Sequence, residues 1–353
     1  MPKTEFKEGL TFADVLLEPR FSQVERSEVD LHAQLTKKIK LNIPLISAAM
    51  DTVTEAPMAF CLGKLGGLGV LHRNCTIAQQ VTMVKKVKKA KLLCGAACGP
   101  TDIERAKTLD KAGCDVIFLD CAHAHLAKII KASRQIKKIT KAQLVVGNIA
   151  TSEAARAYIS IADALKVGIG PGSICTTRVV TGVGVPQLTA IMDVVKVASP
   201  KKIPVIADGG LQYSGDIIKA LAAGADTVML GSLLAGTAEA PGKIIKIKGQ
   251  SYKALRGMGS LGAMTQKHSS DRYFQSGAKQ YVPEGVEGLI PFKGSLKEVV
   301  AQHLGGLKSG MGYLGAAKTT DLRKQARFIK ISPAGIAESH PHTISNIKKA
   351  PNY

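Results

Sequence analysis

The segment of the chain best suited to chemistry is a glycine-rich loop with one cysteine, residues 168–178 (GIGPGSICTTR). Glycine adopts backbone conformations closed to other residues, so such a loop can turn its carbonyls toward a cation or its N–H groups toward an anion. A cysteine attacks best as a thiolate, and hydroxyls at Ser173 and Thr177 flank this one. We therefore predict that Cys175 is a catalytic nucleophile, the alternative being a buried structural cysteine.

Two further glycine-containing turns suggest an anion site. Asp208-Gly209-Gly210 and Gly231-Ser232 each close an apolar run. Phosphate groups often bind after strands seven and eight of a (β/α)8 barrel, at a helix N-terminus. A carboxylate such as that of Asp208 can accept hydrogen bonds from both hydroxyls of a ribose. These turns therefore predict a phosphate site beside a sugar-binding carboxylate.

Asp120 also closes an apolar run, and we interpret it as a ligand of sugar hydroxyls, the alternative being a loop-capping role. His123 and His125 follow it without a third ligand in register, which disfavours a metal site. Arg272 lies in a long polar segment, about residues 252–291. It could bind an anion there, or act as a base, although arginine normally stays protonated.

The elements that must position these residues are readable from hydrophobic runs. Eight runs predict strands, at 44–47, 68–71, 92–96, 116–120, 144–148, 165–169, 204–208 and 227–231. Helical segments lie between most of them, for example at 55–65, 77–89, 102–112 and 214–223, with predicted caps at Thr76, Thr101 and Ser152. Continuous apolar strands that alternate with helices predict a parallel sheet built from βαβ units. We expect one α/β domain over residues 1–353, a (β/α)8 TIM barrel, with a doubly wound sheet as the alternative.

Two insertions interrupt the regular spacing of this barrel. The interval between strands six and seven is the longest, and it holds the Cys175 loop (residues 168–178). Chemistry in such barrels occurs on loops that follow the C-terminal ends of strands. The polar segment 252–291 follows strand eight and predicts a mobile flap, the alternative being a disordered excursion.

Composition limits the classes of partner and compartment. The formal net charge is +21, which raises a nucleic-acid-binding protein as an alternative, but no interleaving of basic and aromatic residues supports it. Seven cysteines, an odd number, favour a reducing compartment over a disulfide framework. The first residues form no apolar signal region and no run is long enough to span a membrane, so we expect a cytoplasmic protein.

Ordered motifs along almost the whole chain resemble the IMP dehydrogenase family. They are residues 10–15 (LTFADV), 47–54 (SAAMDTVT), 168–178, 181–187 (TGVGVPQ), 208–210, 256–260 (RGMGS), 272–273 (RY), 283–285 (PEG), 310–313 (GMGY) and 338–342 (ESHPH). The resemblance implies oxidation of IMP to XMP with NAD+, the committed step of guanine nucleotide biosynthesis. It implies that Cys175 adds to C2 of the hypoxanthine ring and that the covalent thioimidate is hydrolysed by water activated by Arg272, with Tyr273 and Thr177 assisting.

The resemblance also implies binding roles, position by position. The IMP site would comprise Ser173, Asp208, Gly209, Gly210, Gly231, Ser232, Gly257, Met258, Gly259 and Glu284. NAD would face Asp120, Gly168, Ile169 and Gly170. A K+ ion would be held by Gly170, Gly172 and Cys175, with Glu338, Ser339 and His340 added from a neighbouring subunit of a homotetramer.

Three departures from the family pattern qualify these expectations. Leu255 stands where the family has Tyr, which removes a hydroxyl expected to contact the IMP phosphate, and Ala124 stands where it has Gly. The pair of regulatory cystathionine-β-synthase-like (CBS) modules that relatives carry is absent near residues 88–92. GMP reductase is the nearest alternative activity; Arg272-Tyr273 and the 338–342 tail favour the dehydrogenase.

Overall fold

Among the residues that the structure describes, the chain forms fifteen β-strands. The computed structural model describes residues 6–266, 270–348 and 350, so the first five residues and positions 267–269 of the predicted flap lie outside the described residues. The strands are β1 (Val15–Leu17), β2 (Ala33–Gln34), β3 (Lys40–Leu41), β4 (Leu45–Ser47), β5 (Leu68–Leu71), β6 (Gly95–Cys98), β7 (Val116–Asp120), β8 (Gln143–Ile149), β9 (Ala164–Val167), β10 (Val205–Asp208), β11 (Thr227–Leu230), β12 (Ile245–Ile247), β13 (Gln250–Arg256), β14 (Glu287–Pro291) and β15 (Phe328–Lys330).

Strands β4 to β11 form a closed barrel in which neighbouring strands are parallel, and β11 pairs with β4 to close it. The TIM-barrel prediction is therefore confirmed. Each predicted run supplies one barrel strand, and most bounds agree to within two residues. The third strand differs more, because it begins at Gly95, which pairs with Val70, and not at Leu92. Leu92 and Leu93 are apolar because they pack against the core on the approach to the strand.

Helices surround the barrel in the alternation that the sequence predicts. They are α1 (Ala56–Lys64), α2 (Ile77–Lys89), α3 (Ile103–Lys111), α4 (Ala127–Ile139), α5 (Ser152–Tyr158), α6 (Thr177–Thr181), α7 (Gln187–Ala198), α8 (Ser214–Ala222), α9 (Ser232–Ala235), α10 (Leu261–Met264), α11 (Leu296–Leu314), α12 (Leu322–Gln325) and α13 (Pro333–Glu338). Short 3-10 helices lie at Phe12–Asp14, Arg26–Glu28, Ser199–Lys201, Ser270–Tyr273 and Thr319–Asp321. Among the described residues, no helix is both long and apolar enough to cross a membrane.

One of the three predicted helix caps is right and two are displaced by one residue. Thr76 caps α2 through a capping box with Gln79. For α3 the cap is Asp102 rather than Thr101, since the Asp102 carboxylate accepts a hydrogen bond from the Arg105 amide at 3.0 Å. For α5 the cap is Thr151 rather than Ser152, which lies in the first turn. Where two neighbouring residues can both serve as the N-cap of a helix, the sequence alone does not distinguish them, because the choice depends on the backbone geometry.

The core has two layers that follow the alternation of side chains along the barrel strands. Inward-facing residues such as Val70, Phe118 and Ile206 fill the barrel, and the residues between them pack outward against the helices. Tyr158 is fully buried in the outer layer, and its hydroxyl donates to the Ala124 carbonyl at 2.6 Å. This packing gives the loops at the C-terminal ends of the strands a rigid base.

The segment after β11 is more ordered at its ends than the sequence indicated. Strands β12, β13 and β14 form an antiparallel sheet, so the ends of the 252–291 segment are paired to each other. Lys253 on β13 is buried, and its ammonium donates to the carbonyls of Thr237 and Ala240 next to the barrel. The sheet is thereby anchored to the barrel, and described residues between β13 and β14, among them Arg272 and Tyr273, lie at its C-terminal end.

Candidate active site

A cavity of about 140 Å3 opens at the C-terminal end of the barrel. The predicted site residues that line it are Asp120, Gly168, Ile169, Gly170, Gly172, Cys175, Thr177, Asp208, Gly209, Gly257, Met258, Gly259, Arg272, Tyr273 and Glu284. An adjoining cavity is lined by Ser173, Gly210, Gly231 and Ser232, and shares Asp208 and Gly209 with the first. The catalytic, IMP and NAD positions expected from the sequence are therefore brought to one place.

The backbone of the Cys175 loop needs glycine at two positions. Gly168 has a φ of +148°, and a Cβ there would lie 2.1 Å from the carbonyl oxygen of Asp208. Gly170 has a φ of +76°, and a Cβ there would lie 2.6 Å from Cγ of Arg178. Arg178 in turn donates to the carbonyls of Ile169 at 3.1 Å and Val185 at 2.5 Å. Close contact between the loop, β10 and Arg178 fixes the path that leads to Cys175.

Cys175 itself is held by the loop and by the far end of the flap. Its amide donates to the Gly172 carbonyl at 3.1 Å, and Thr176 donates to the carbonyl of Glu284 at 2.9 Å. Cys175 also forms an antiparallel bridge with Gly285. The thiol lies 3.2 Å from the Thr177 hydroxyl, Sγ to Oγ1. The loop and residues 284–286 therefore form one unit around the nucleophile.

The tip of the flap lies inside the same cavity. The guanidinium of Arg272 forms an ion pair with the carboxylate of Asp120, and the Arg272 carbonyl accepts a hydrogen bond from Ala122 at 3.0 Å. The preceding residue, Asp271, pairs with the buried guanidinium of Arg73 at 2.7 Å. The flap is thus docked through ion pairs of two consecutive residues, to the loop after β5 and to the C-terminal end of β7.

Burial sets the proton affinities of the two flap side chains. It lowers the pKa of the Arg272 guanidinium, because the charged form loses hydration; Tyr273 opposes this shift, and nearby Arg73 adds to it. Burial raises the pKa of the Tyr273 phenol, and nearby Arg272 partly offsets that shift. The guanidinium carbon lies 5.9 Å from the centre of the Tyr273 ring. A lowered arginine pKa is the direction that a proton-accepting role requires.

Sequence reasoning missed two buried polar residues at the base of the cavity, Lys166 and Asn148. The Lys166 ammonium contacts Asp208 at 2.7 Å, Asp120 at 3.4 Å, and the side-chain oxygen of Asn148. The sequence pattern could have identified Lys166, because it is the one charged residue in β9. It stands two residues after Ala164, whose side chain faces the barrel interior, so the Lys166 side chain faces inward as well. The same spacing from Phe118 and Ile206 places Asp120 and Asp208 inside the barrel.

The C-terminal tail lies behind the Cys175 loop of its own chain. Ser339 and His340 line a cavity together with Pro171 and Arg178, and the His340 ring packs 5.9 Å from that of Tyr213. Glu338 is exposed at the end of α13. The single chain therefore brings the tail to the back of the loop rather than into the cavity that holds Cys175.

Leu255, the position at which the family has Tyr, is 5% exposed and packs in the hydrophobic core. The residues that follow turn toward the cavity, where Gly257, Met258 and Gly259 form part of the wall, whereas Arg256 pairs with Asp51 at 2.5 Å. No hydroxyl is supplied from position 255.

Comparison with known proteins gives consistent matches over the whole chain. A family model described as "IMP dehydrogenase / GMP reductase domain" matches residues 9–342. The chain is 46% identical to the inosine-5'-monophosphate dehydrogenase of Cryptosporidium parvum, over 98% of each chain. It is 45% identical to that of Borreliella burgdorferi, over 98% of this chain and 100% of the relative. With that of Methanocaldococcus jannaschii the identity is 42% over 486 aligned residues, 99% of this chain and 98% of the relative, so the relative carries a long stretch that this chain of 353 residues lacks.

Proposed function

The chain belongs to the IMP dehydrogenase / GMP reductase family, and we propose that it oxidises IMP to XMP with NAD+, the committed step of guanine nucleotide synthesis. The observation that carries this proposal is the presence of Cys175, Thr177, Arg272 and Tyr273 on the wall of one cavity. A thiol nucleophile and a water-activating pair are what a two-step oxidation and hydrolysis needs. The flap pair also distinguishes this reaction from the deamination catalysed by GMP reductase.

In the first step the Cys175 thiolate adds to C2 of the hypoxanthine ring, and a hydride leaves C2. NAD+, when bound, supplies the acceptor for that hydride. The product is a thioimidate between Cys175 and the purine, and the overall reaction consumes IMP, NAD+ and water and yields XMP, NADH and one proton. Division of the displacement into two steps lowers each barrier. Thr177, 3.2 Å from the thiol, orients the sulfur and is close enough to exchange a proton with it.

The IMP nucleotide fits the paired cavities. Asp208 binds the ribose hydroxyls, and Ser173, Gly209, Gly210, Gly231 and Ser232 surround the phosphate in the adjoining cavity. The absence of a Cβ at the glycines lets phosphate oxygens approach backbone N–H groups. Gly257, Met258, Gly259 and Glu284 enclose the base. The core position of Leu255 leaves the phosphate without the phenol hydroxyl that the family pattern would supply.

The NAD site is proposed at Asp120, Gly168, Ile169 and Gly170. The fit rests on Asp120, a buried carboxylate at the cavity edge that can accept hydrogen bonds from ribose hydroxyls. Asp120 is also the partner of Arg272 in the closed flap, so the cofactor and the flap use the same position in turn. Once the flap has closed, Arg272 in its neutral form, which its lowered pKa favours, accepts a proton from the attacking water and becomes a guanidinium, and Tyr273 stabilises the same arrangement through its phenol.

A K+ ion is proposed at the carbonyls of Gly170, Gly172 and Cys175, because neutral backbone oxygens suit a large monovalent cation. Glu338, Ser339 and His340 of a neighbouring subunit would complete its coordination in a homotetramer. Val179 and Val183, which follow the loop, are strongly exposed, and exposed apolar side chains at such a position favour a subunit interface. Activity measured in K+ and in the larger cation tetramethylammonium, together with the mass of the assembly by light scattering, tests both statements.

Regulation through CBS modules is proposed to be absent. Helix α2 ends at Lys89 and β6 begins at Gly95, which leaves room for only a short connection. The greater length of the alignment with the archaeal relative supports a missing insertion. A cytoplasmic location is also proposed, supported by the seven free cysteines.

The activity is tested by mixing the protein with IMP, NAD+ and K+ and following NADH absorbance. Appearance of NADH and XMP in equal amounts is the expected result. No NADH from IMP, together with oxidation of NADPH in the presence of GMP, would assign GMP reductase instead.

A further inference from the structure

Lys166 is a charged residue deep inside the barrel, in the otherwise apolar strand β9, and it is 2% exposed. Its ammonium bridges residues of three other strands: Asp208 at the end of β10, Asn148 in β8 and Asp120 at the end of β7. Together with β9, which lies between β8 and β10, these strands are consecutive around the barrel wall. A buried charge is tolerated only when it is paired, so the ammonium and the two carboxylates stabilise one another.

Lys166 lies closer to Asp208 and Asn148 than to Asp120. The 2.7 Å contact to Asp208 and the contact to Asn148 hold the ammonium in place, and Asn148 in turn donates to Asp208 at 2.9 Å. Asp120 is approached at 3.4 Å through Oδ1, while its other oxygen, Oδ2, faces Arg272 of the flap. The Asp120 carboxylate is therefore contacted by Lys166 from the barrel and by Arg272 from the flap, while the buried guanidinium of Arg73 lies 3.5 Å from the Asp120 carbonyl oxygen.

If Arg272 were the sole counter-ion of Asp120, undocking of the flap would leave a buried carboxylate without a partner, at a large cost in free energy. A buried carboxylate that loses its partner is strongly destabilised, because it regains little hydration. Lys166 remains beside Asp120 whether the flap is docked or not, since its anchors, Asp208 and Asn148, belong to the barrel. The free energy needed to lift Arg272 away is correspondingly smaller.

We propose that Lys166 is a positioning residue that acts as the standing counter-ion of Asp120 and so permits Asp120 to exchange Arg272 for the hydroxyls of the dinucleotide. This inference rests on the proposed function, in which flap and cofactor use Asp120 in turn. Lys166 touches neither reacting atom; it sets how strongly the closed flap competes with NAD+. Removal of its charge makes Asp120 depend on Arg272, so the flap closes too tightly and NAD+ enters less readily.

A double-mutant cycle separates this role from a structural one. The concentration of NAD+ that half-saturates the single-turnover burst of NADH is measured at saturating IMP for the wild type, Lys166→Met, Arg272→Ala and the double variant. Lys166→Met should raise this concentration by about tenfold when Arg272 is present and by less than about threefold when Arg272 is absent. A penalty of the same size in both backgrounds would overturn the proposal, because it would then not depend on the flap.

Two further measurements keep the test decisive. Lys166→Arg retains the positive charge and should restore a half-saturating concentration close to the wild-type value; a penalty equal to that of Lys166→Met would count against the counter-ion role. If Lys166→Met does not fold by circular dichroism, Lys166→Gln, which keeps a hydrogen-bond donor without charge, takes its place in the cycle. Failure of the wild type to produce any burst of NADH from IMP would refute the proposed function and this inference with it. A normal wild-type burst, together with equal effects of Lys166→Met in the presence and absence of Arg272, would refute the inference alone.

Discussion

The guanidinium of Arg272 lies against the carboxylate of Asp120, although 151 residues separate them along the chain. This contact docks the flap where the NAD site is proposed, and a second ion pair, Asp271 to Arg73, lies directly beside it. In the proposed mechanism this arrangement corresponds to the closed flap, in which the proposed water-activating residue and Cys175 line one cavity. Hydride transfer and hydrolysis need different occupants of this position, so variants should separate the two steps.

Replacement of Arg272 by alanine should leave hydride transfer intact and stall hydrolysis. The side chain contacts Asp120 and lines the cavity, but it takes no part in the attack of Cys175 on IMP in the proposed mechanism. We expect a burst of about one NADH per active site, followed by turnover slower by about 100-fold or more, a loss typical of a missing general base. Stopped-flow absorbance gives the burst, and an intact-mass spectrum shows the accumulated adduct. Rapid XMP release by this variant would refute the assigned role; Arg134→Ala, on the exposed side of α4, is the control.

Replacement of Cys175 by alanine should abolish the covalent adduct without abolishing IMP binding. The ribose and phosphate positions, Asp208 and Ser232 among them, are independent of the thiol. Calorimetry should give a dissociation constant for IMP within about tenfold of the wild-type value, since a single contact is lost. Intact mass after incubation with IMP and NAD+ should show the adduct in the wild type only. An adduct on the variant would mean that another residue is the nucleophile.

The barrel could be predicted from the sequence because its strands are buried on both faces. Such strands appear as continuous apolar runs, and their order along the chain is their order around the barrel. Strand β14 was not predictable in this way, since its residues are mostly exposed and carry no apolar period. The network around Lys166 was missed for another reason: its partners come from β7, β8 and β10, and only the register of the closed barrel brings them together.

Asp271→Asn should weaken the closed flap while leaving the chemistry of Cys175 unchanged. The variant keeps the shape of the side chain but removes the charge that pairs with Arg73 at 2.7 Å. Loss of about 1 kcal/mol from this half-buried pair would slow hydrolysis by roughly fivefold. The rate of the NADH burst should be unaffected, so the ratio of burst rate to steady-state rate rises. Glu104→Gln, on the exposed face of α3, should change neither rate; an equal effect of both substitutions would exclude a specific role for the ion pair.

Gly168→Ala should disable the Cys175 loop through the backbone alone. A Cβ at this φ of +148° would meet the Asp208 carbonyl at 2.1 Å, so the loop and β10 must separate. Displacement of the nucleophile by a fraction of an ångström to 1 Å should lower kcat/KM by about 100-fold. Gly215→Ala is the matched control, since its Cβ would meet nothing within 4 Å and helix α8 should gain up to about 1 kcal/mol. Activity retained by Gly168→Ala would show that the loop tolerates another path.

Protonation of His72 should make the free energy of unfolding fall as the pH rises above 6.5. Burial disfavours its imidazolium, but favourable interactions with Cys75, Glu55 and Asp51 outweigh burial and raise the pKa of His72 to about 9. A folded-state pKa above the unfolded value of 6.5 means that the proton stabilises the native state. This contribution, about 3 kcal/mol, is complete below pH 6.5 and is lost as the pH rises through 9. His72→Gln should therefore reduce the fall in the free energy of unfolding between pH 6.5 and 9, as measured by urea denaturation.

His303→Gln is the control, because burial lowers the pKa of His303 to about 4, and a histidine that stays neutral in the native state affects stability only as the pH falls below 6.5. If both variants retain the wild-type dependence above pH 6.5, the proton on His72 does not contribute to stability.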